Sequence, residues 1–308
     1  MQKCLAFNHA LTIHPGKNVA PCCVYNGKER LLYTDDWKTK FKEQGIKSEV
    51  GFLPECSDCA WEDKERGESW KDHLNKKLKG AEGIVYWDMK FNNTCNLQCR
   101  MCNPAASSIW EQKVTPEFTS DWYRKEKTGW HKDIDIIYEN LKDAKYLKFT
   151  GGEPFLIPQV WKVLDYCIEN GLERGIELEF TTNGTQIVQL EKLKKFKNVE
   201  ILVSIDAIGD RFEYIRPGAS WEVVMTNTLK LAQHFDVAIT ALPMIFNKDH
   251  MHEVKEFGLE HELEVRMSPP LTEPKWARPD ALDTCPEEFY KYVNLLDKQH
   301  NTNYKDFI

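Results

Sequence analysis

From about residue 84 the chain alternates short apolar runs with segments whose apolar residues recur every three or four positions. The runs predict strands over 86–91, 146–150, 176–181, 201–205, 238–245 and 263–267. Residues 201–205, Ile-Leu-Val-Ser-Ile, are nearly continuous in apolar side chains, as in a strand buried on both faces. Between the strands, Ile157, Val160, Trp161, Leu164, Cys167 and Ile168 share one helical face. Ile134, Ile137 and Leu141 repeat the pattern earlier, and Val224, Leu231 and Phe235 later. Six such alternations predict an α/β chain with a parallel sheet and right-handed crossovers. Alternation alone does not separate a doubly wound sheet from a barrel.

The first eighty residues read differently. They carry paired cysteines, short loops and a polar helical stretch near 70–79, and predict a small module whose thin core needs a metal to fold. The division expected is 1–80 for this module, 81–275 for the repeating α/β unit and 276–308 for a C-terminal helical tail. An irregular stretch at 113–132, with Trp122, Tyr123 and Trp130, is expected to pack across the α/β unit.

Composition narrows the function classes. A net charge of −7 gives no general footing for nucleic acid, whose phosphates select clustered Lys and Arg. No run approaches the ~18 apolar residues of a membrane span, and the first residues lack a leader pattern. The expectation is a cytoplasmic protein with no membrane partner. In that setting ten cysteines point to metal ligation rather than disulfides, and eight of them fall at or before Cys102.

The segment FNNTCNLQCRMC spaces Cys95, Cys99 and Cys102 as CxxxCxxC just after the first predicted strand. Three thiolates on so short a loop suit three corners of a [4Fe–4S] cube and leave one iron open. A zinc site completed by a remote His or Cys uses similar spacings.

At these residues the sequence resembles the radical S-adenosylmethionine (SAM) superfamily, over roughly residues 84–270. The resemblance implies a partial (β/α)6 TIM-like barrel and a [4Fe–4S] cluster whose open iron chelates SAM. It further implies reductive cleavage of SAM to a 5′-deoxyadenosyl radical, which abstracts hydrogen from a substrate. Met101 stands where the family usually has an aromatic residue near the adenine; methionine is apolar and polarisable enough for that place. The second strand ends in FTGGEP, and Gly151, Gly152, Glu153 and Pro154 match the family motif that holds the SAM amino group. On its own that tetrapeptide is also an ordinary glycine-rich turn. Asn183 and Gly184, after the third strand, read equally as a SAM contact or an Asn-Gly turn. Ser204 and Arg216 resemble the serine and arginine that contact SAM's ribose and carboxylate. Asp206 reads as a site residue or a cap, and Arg216 also as a surface salt-bridge residue.

Cys4, Cys22 or Cys23, Cys56 and Cys59 supply four thiolates, enough for a second cluster. Their setting resembles the auxiliary twitch or SPASM modules, with the one-cluster twitch type fitting the count and Cys22 taken over Cys23. A structural Cys4 zinc knuckle has much the same spacings. The resemblance implies a flavodoxin- or ferredoxin-like electron donor and favours a peptide or peptide-derived substrate. A small metabolite such as a nucleoside or sugar is the alternative within the class, and a zinc-stabilised binding protein the alternative outside it. No catalytic residue beyond the cofactor ligands is legible.

Overall fold

The computed structural model describes residues 3–15, 18–26, 31–32, 36–123, 135–138, 140–187 and 189–308. Ile134 and Trp130, named above, lie outside them.

Among the described residues nine strands form one open sheet: β1 (Ala10–Ile13), β2 (Asn18–Ala20), β3 (Leu31–Leu32), β4 (Tyr86–Met89), β5 (Tyr146–Phe149), β6 (Glu177–Thr182), β7 (Asn198–Ser204), β8 (Asp236–Ala241) and β9 (Glu264–Met267), in the order β3-β2-β1-β4-β5-β6-β7-β8-β9. From β4 to β9 every neighbouring pair is parallel, which is the run of six strands expected from the sequence. This is a partial TIM-like barrel, left unclosed. The Pro158–Glu169 and Trp221–Ala232 helices fall where the periodicity places them, whereas Leu141 sits in a separate short turn after Asp135–Tyr138. In the Pro158–Glu169 helix Val160, Trp161, Val163, Leu164 and Cys167 are buried, so Cys167 is a core residue there. Apolar residues of the sheet, among them Trp87, Leu147, Phe149, Phe180, Ile201 and Val203, share one core with that helix face.

The first eighty residues join this architecture. β1 pairs with β4 in parallel, Thr12 opposite Asp88, and β2 and β3 continue the same sheet antiparallel. Phe7, Leu11, Ile13, Trp37 and Phe41 belong to the main core. The sheet thus runs across the boundary expected near residue 80, and this part of the chain shares apolar burial with the barrel beside a small cluster of Ala6, Ala10, Leu74, Leu78, Val85 and Tyr86. The signal was weak because β1 is only four residues long and its neighbours are shorter.

On the face of the sheet turned away from the outer helices, Asp88, Lys148 and Glu179 stand in one register row. Lys148 Nζ lies 2.7 Å from Glu179 Oε1 and 5.0 Å from the Trp70 ring centre. The Trp70–Leu78 helix therefore lies against this face, and its Trp70 and Leu74 line the same cavity as Cys4, Cys22, Cys56 and Cys59.

Candidate radical-generating site

The three-cysteine loop begins one residue past β4, and its shape is fixed by hydrogen bonds local to it. Ser108 Oγ accepts from Cys95 N (3.1 Å) and donates to Cys95 O (3.0 Å). Ser107 Oγ donates to Leu97 O at 2.6 Å, and Trp110 Nε1 to Cys99 O at 2.8 Å. Trp122 Nε1 reaches Cys102 O at 3.2 Å, so the described part of the irregular stretch, up to Tyr123, packs against the cysteine loop. None of Ser107, Ser108 or Trp110 was legible as a site residue. The only signal was a serine pair opening the next helix, where Ser107 accepts from Trp110 N as a cap.

The GGEP loop after β5 lies against this loop. Glu153 N donates to Thr94 O at 2.7 Å, and Gly152 N to Asn92 O at 3.4 Å. A Cβ on Gly152 would sit 2.2 Å from Thr94 O, and one on Gly151 2.9 Å from Asn92 O. Gly151 also has φ of +125°, a conformation that favours glycine. Both glycines are therefore demanded by the approach of two backbones. Pro154 is buried and starts a short turn.

Glu153 is fully buried. Its carboxylate accepts from Asn183 N (2.7 Å), Thr182 Oγ1 (2.8 Å) and Phe155 N (3.1 Å), tying the end of β5 to the end of β6. Chain donors thus reach both oxygens, two on Oε1 and one on Oε2. Burial outweighs those bonds and pushes the carboxyl up to about 7. Asn183 reaches back to the cysteine loop, with Nδ2 3.0 Å from Asn96 Oδ1 and 3.9 Å from Cys95 Sγ. It also forms an Asx turn, Thr185 N to Asn183 Oδ1 at 3.0 Å, as the turn reading of this residue expects.

Ser204 is the last residue of β7, half-buried opposite Thr240. Asp206, just beyond, is buried and does two things. Its Oδ1 accepts from Leu242 N at 2.9 Å, and its Oδ2 accepts from Arg216 Nε at 2.9 Å and Nη2 at 2.7 Å. Arg216 Nη1 lies 3.7 Å from Cys99 Sγ. The Arg216 side chain is only 11% exposed, so it is an interior cation facing a sulfur rather than a surface residue. Burial works against the guanidinium charge, and Asp206 beside it outweighs that and holds Arg216 above its ordinary range. Met101 is half-buried on the core beside Cys102.

Cys95, Asn183, Asp206, Arg216 and Cys99 are thus linked across three strand ends. The thiols suit an iron–sulfur cube. Burial raises all three, Cys102 to about 11, so in isolation they stay protonated, and a bound cation is what would draw out thiolates. The Arg216 cation beside Cys99 opposes the charge that three thiolates would accumulate.

Cys4, Cys22, Cys56 and Cys59 all line one small cavity, together with Phe7, Phe52 and Leu74. Cys23 turns the other way, toward Asp88 and Lys148 inside the barrel, which also raise or lower its thiol alongside burial. Consecutive residues in extended or turn backbone point apart, and that separates a pair the sequence left open. Among the described residues no three His, Cys, Asp or Glu side chains close on a single-ion site. His9 shares a hydrogen bond with Gly83 O at 3.0 Å. Cys285 begins the last helix, its Sγ 3.3 Å from Lys275 O. No helix among the described residues is long and apolar enough to cross a membrane.

Comparison with known proteins follows the same residues. A sequence model of the Radical SAM superfamily matches residues 89–258, a span that holds the three-cysteine loop, GGEP, Asn183, Ser204, Asp206 and Arg216 but not the N-terminal cysteines. An uncharacterized protein of Methanocaldococcus jannaschii is 24% identical over 71% of this chain and 73% of its own length. GTP 3′,8-cyclase 3 of Mycobacterium bovis is 28% identical over 56% of this chain, which spans only 45% of that relative. Among solved structures, native anSMEcpe with bound AdoMet superposes with a TM-score of 0.45 at 16% identity, over 70% of this chain and 61% of the other. With the family match extending over more than half of its 308 residues, and with the cysteine loop and GGEP paired in the structure, the chain belongs to the radical SAM superfamily of enzymes.

Proposed function

We propose that this protein cleaves SAM reductively at a [4Fe–4S] cluster held by Cys95, Cys99 and Cys102, and uses the resulting radical to take hydrogen from a substrate. The observation that carries this reading is the convergence of a buried cation, Arg216, and the close-approach glycine Gly152 on the same three-thiol loop. When bound, the cluster and SAM supply one electron and the 5′-deoxyadenosyl radical. The chain's own part is electrostatic and steric. Arg216, oriented by Asp206, presents a fixed positive charge beside Cys99 for the anionic sulfurs and for SAM's carboxylate. Gly151 and Gly152 keep side chains out of the seam where backbone groups face a ligand's amino group. Glu153 holds the ends of β5 and β6 at fixed spacing, which positions Asn183. Ser204 stands at the ribose side and Met101 at the adenine side, as the family pattern implies.

The four N-terminal thiols support a second, auxiliary [4Fe–4S] cluster of the twitch type, with Cys22 as the ligand from its pair. A single tetrahedral zinc needs four sulfurs about 2.3 Å from one centre. A flavodoxin- or ferredoxin-like donor is the natural source of the electron. For substrate, a peptide or peptide-derived compound stands beside a small metabolite, and the name GTP 3′,8-cyclase on curated relatives supports the second class.

The test is anaerobic reconstitution, iron and sulfide counting, and reduction in the presence of SAM. About eight irons per chain and formation of 5′-deoxyadenosine are expected. A full iron content with no 5′-deoxyadenosine would refute the catalytic reading, and four irons would refute the auxiliary cluster.

A further inference from the structure

We propose that Arg100 and Asp297 form a positioning pair that sets Arg216 against Cys99, which makes the C-terminal helix (Pro286–His300) part of the radical-generating site. The inference rests on the cluster reading above. That helix lies wholly beyond the residues matched to the superfamily.

Arg100 stands between two of the loop cysteines, and its side chain is 0% exposed. Nε donates to Tyr214 O at 2.7 Å, and Nη2 donates to Asp297 Oδ1 at 2.7 Å and Thr302 Oγ1 at 2.9 Å. The guanidinium lies 3.7 Å from the centre of the Tyr214 ring. Asp297 is anchored in turn, with Oδ2 accepting from Tyr304 N at 2.7 Å.

The backbone of the same loop makes a second set of contacts. Arg100 N donates to Ile215 O at 2.9 Å, and Gln98 N to Pro217 O at 3.1 Å. Those two bonds bracket Cys99 on one strand of the pairing and Arg216 on the other. Arg216 is thereby held opposite Cys99, where Nη1 meets Sγ at 3.7 Å. Because Arg100 grips residue 214 with its side chain and residue 215 with its backbone, a shift of its guanidinium carries Arg216 with it. A pair that only glued the last helix to the barrel needs neither contact with 214–217. A buried charge pair is also a weak source of net stability, since well-packed apolar residues often replace one without loss. Its orienting effect is what an apolar pair would not reproduce.

The test uses full-length reconstituted protein. Arg100→Lys keeps the charge and loses the planar fork. Arg100→Met with Asp297→Leu replaces the pair by apolar side chains and keeps the fold where single variants fail. The readouts are iron content, the electron paramagnetic resonance spectrum of the reduced cluster with and without SAM, SAM affinity, and thermal stability. Iron at the wild-type level, SAM binding weakened about tenfold and an altered SAM-dependent spectrum are expected in both variants. Adding Arg216→Lys to Arg100→Lys should cost little more than either alone, because both act at one contact. Wild-type SAM affinity and spectra in the apolar-pair variant, or losses that multiply with Arg216→Lys, would overturn the positioning role. Iron lost from the apolar-pair variant would overturn it too, making the pair a requirement of loop folding. If wild-type protein itself shows no SAM-dependent spectral change, the cluster reading fails rather than this one.

Discussion

Replacing Gly152 by alanine tests the seam between GGEP and the cysteine loop with a single methyl group. The new Cβ would lie 2.2 Å from Thr94 O, 2.6 Å from Thr94 C and 2.8 Å from Asn93 C, all backbone atoms that no rotamer change can move. Reaching ordinary contact at 3.4 Å needs a separation of about 1.2 Å (3.4 − 2.2). The Glu153 N to Thr94 O bond of 2.7 Å stretches past hydrogen-bond length in the process. Overpacking of this kind costs about 1–3 kcal/mol. The functional effect is larger, because Cys95 follows Thr94 directly and a ~1 Å misplacement near a reacting centre costs on the order of 100-fold. The assay is 5′-deoxyadenosine formation by anaerobic, reduced, reconstituted protein, with a thermal melt of the same sample. Gly175→Ala is the control, since nothing lies within 4 Å of its Cβ position. Gly152→Ala is expected to lose about two orders of magnitude in SAM cleavage while remaining folded, and Gly175→Ala to match wild type. SAM cleavage within threefold of wild type by Gly152→Ala would show that the two loops are not held together as described.

Three further outcomes follow from the site. Glu153 has a folded pKa of about 7, above the usual 4.5, so its stabilising contribution is complete below pH 4.5 and is lost as pH rises through 7. The change is roughly 3 kcal/mol; denaturant midpoints measured from pH 4.5 to 8 should decline in wild type and lose most of that slope in Glu153→Gln, and equal slopes would contradict the burial argument. Asp206→Asn leaves the interior Arg216 charge without its partner and is expected to lower stability by about 3–5 kcal/mol and to weaken SAM binding, as read by denaturation and equilibrium binding. Cys59→Ser is expected to halve the iron content while sparing SAM cleavage, whereas Cys23→Ser should keep full iron because its thiol faces Asp88 instead; iron loss in Cys23→Ser would reverse that assignment.

The parts of this protein legible in the chain itself are those encoded over short spans. The central strand run Ile201–Val203 shows as apolar because both its faces are covered, and the helix faces show as a 3.6-residue repeat. The cysteine loop and GGEP are legible because each is a contiguous segment whose spacing is its chemistry. What the sequence could not give is any choice between residues that depends on direction or on distant partners. Cys22 and Cys23 are equivalent in the chain, and only the fold turns one toward the thiol-lined cavity and the other into the barrel. β1 is too short to carry a pattern, and it is a strand because β4 offers it an edge. Glu153 reads as a carboxylate for a ligand, yet Thr182 and Asn183, some thirty residues on, take up its oxygens. Arg100 and Asp297 are 197 positions apart, and nothing local to either announces the other. Periodicity and motif spacing record local backbone geometry; the burial that pairs charges and aims side chains exists only after the chain has closed on itself.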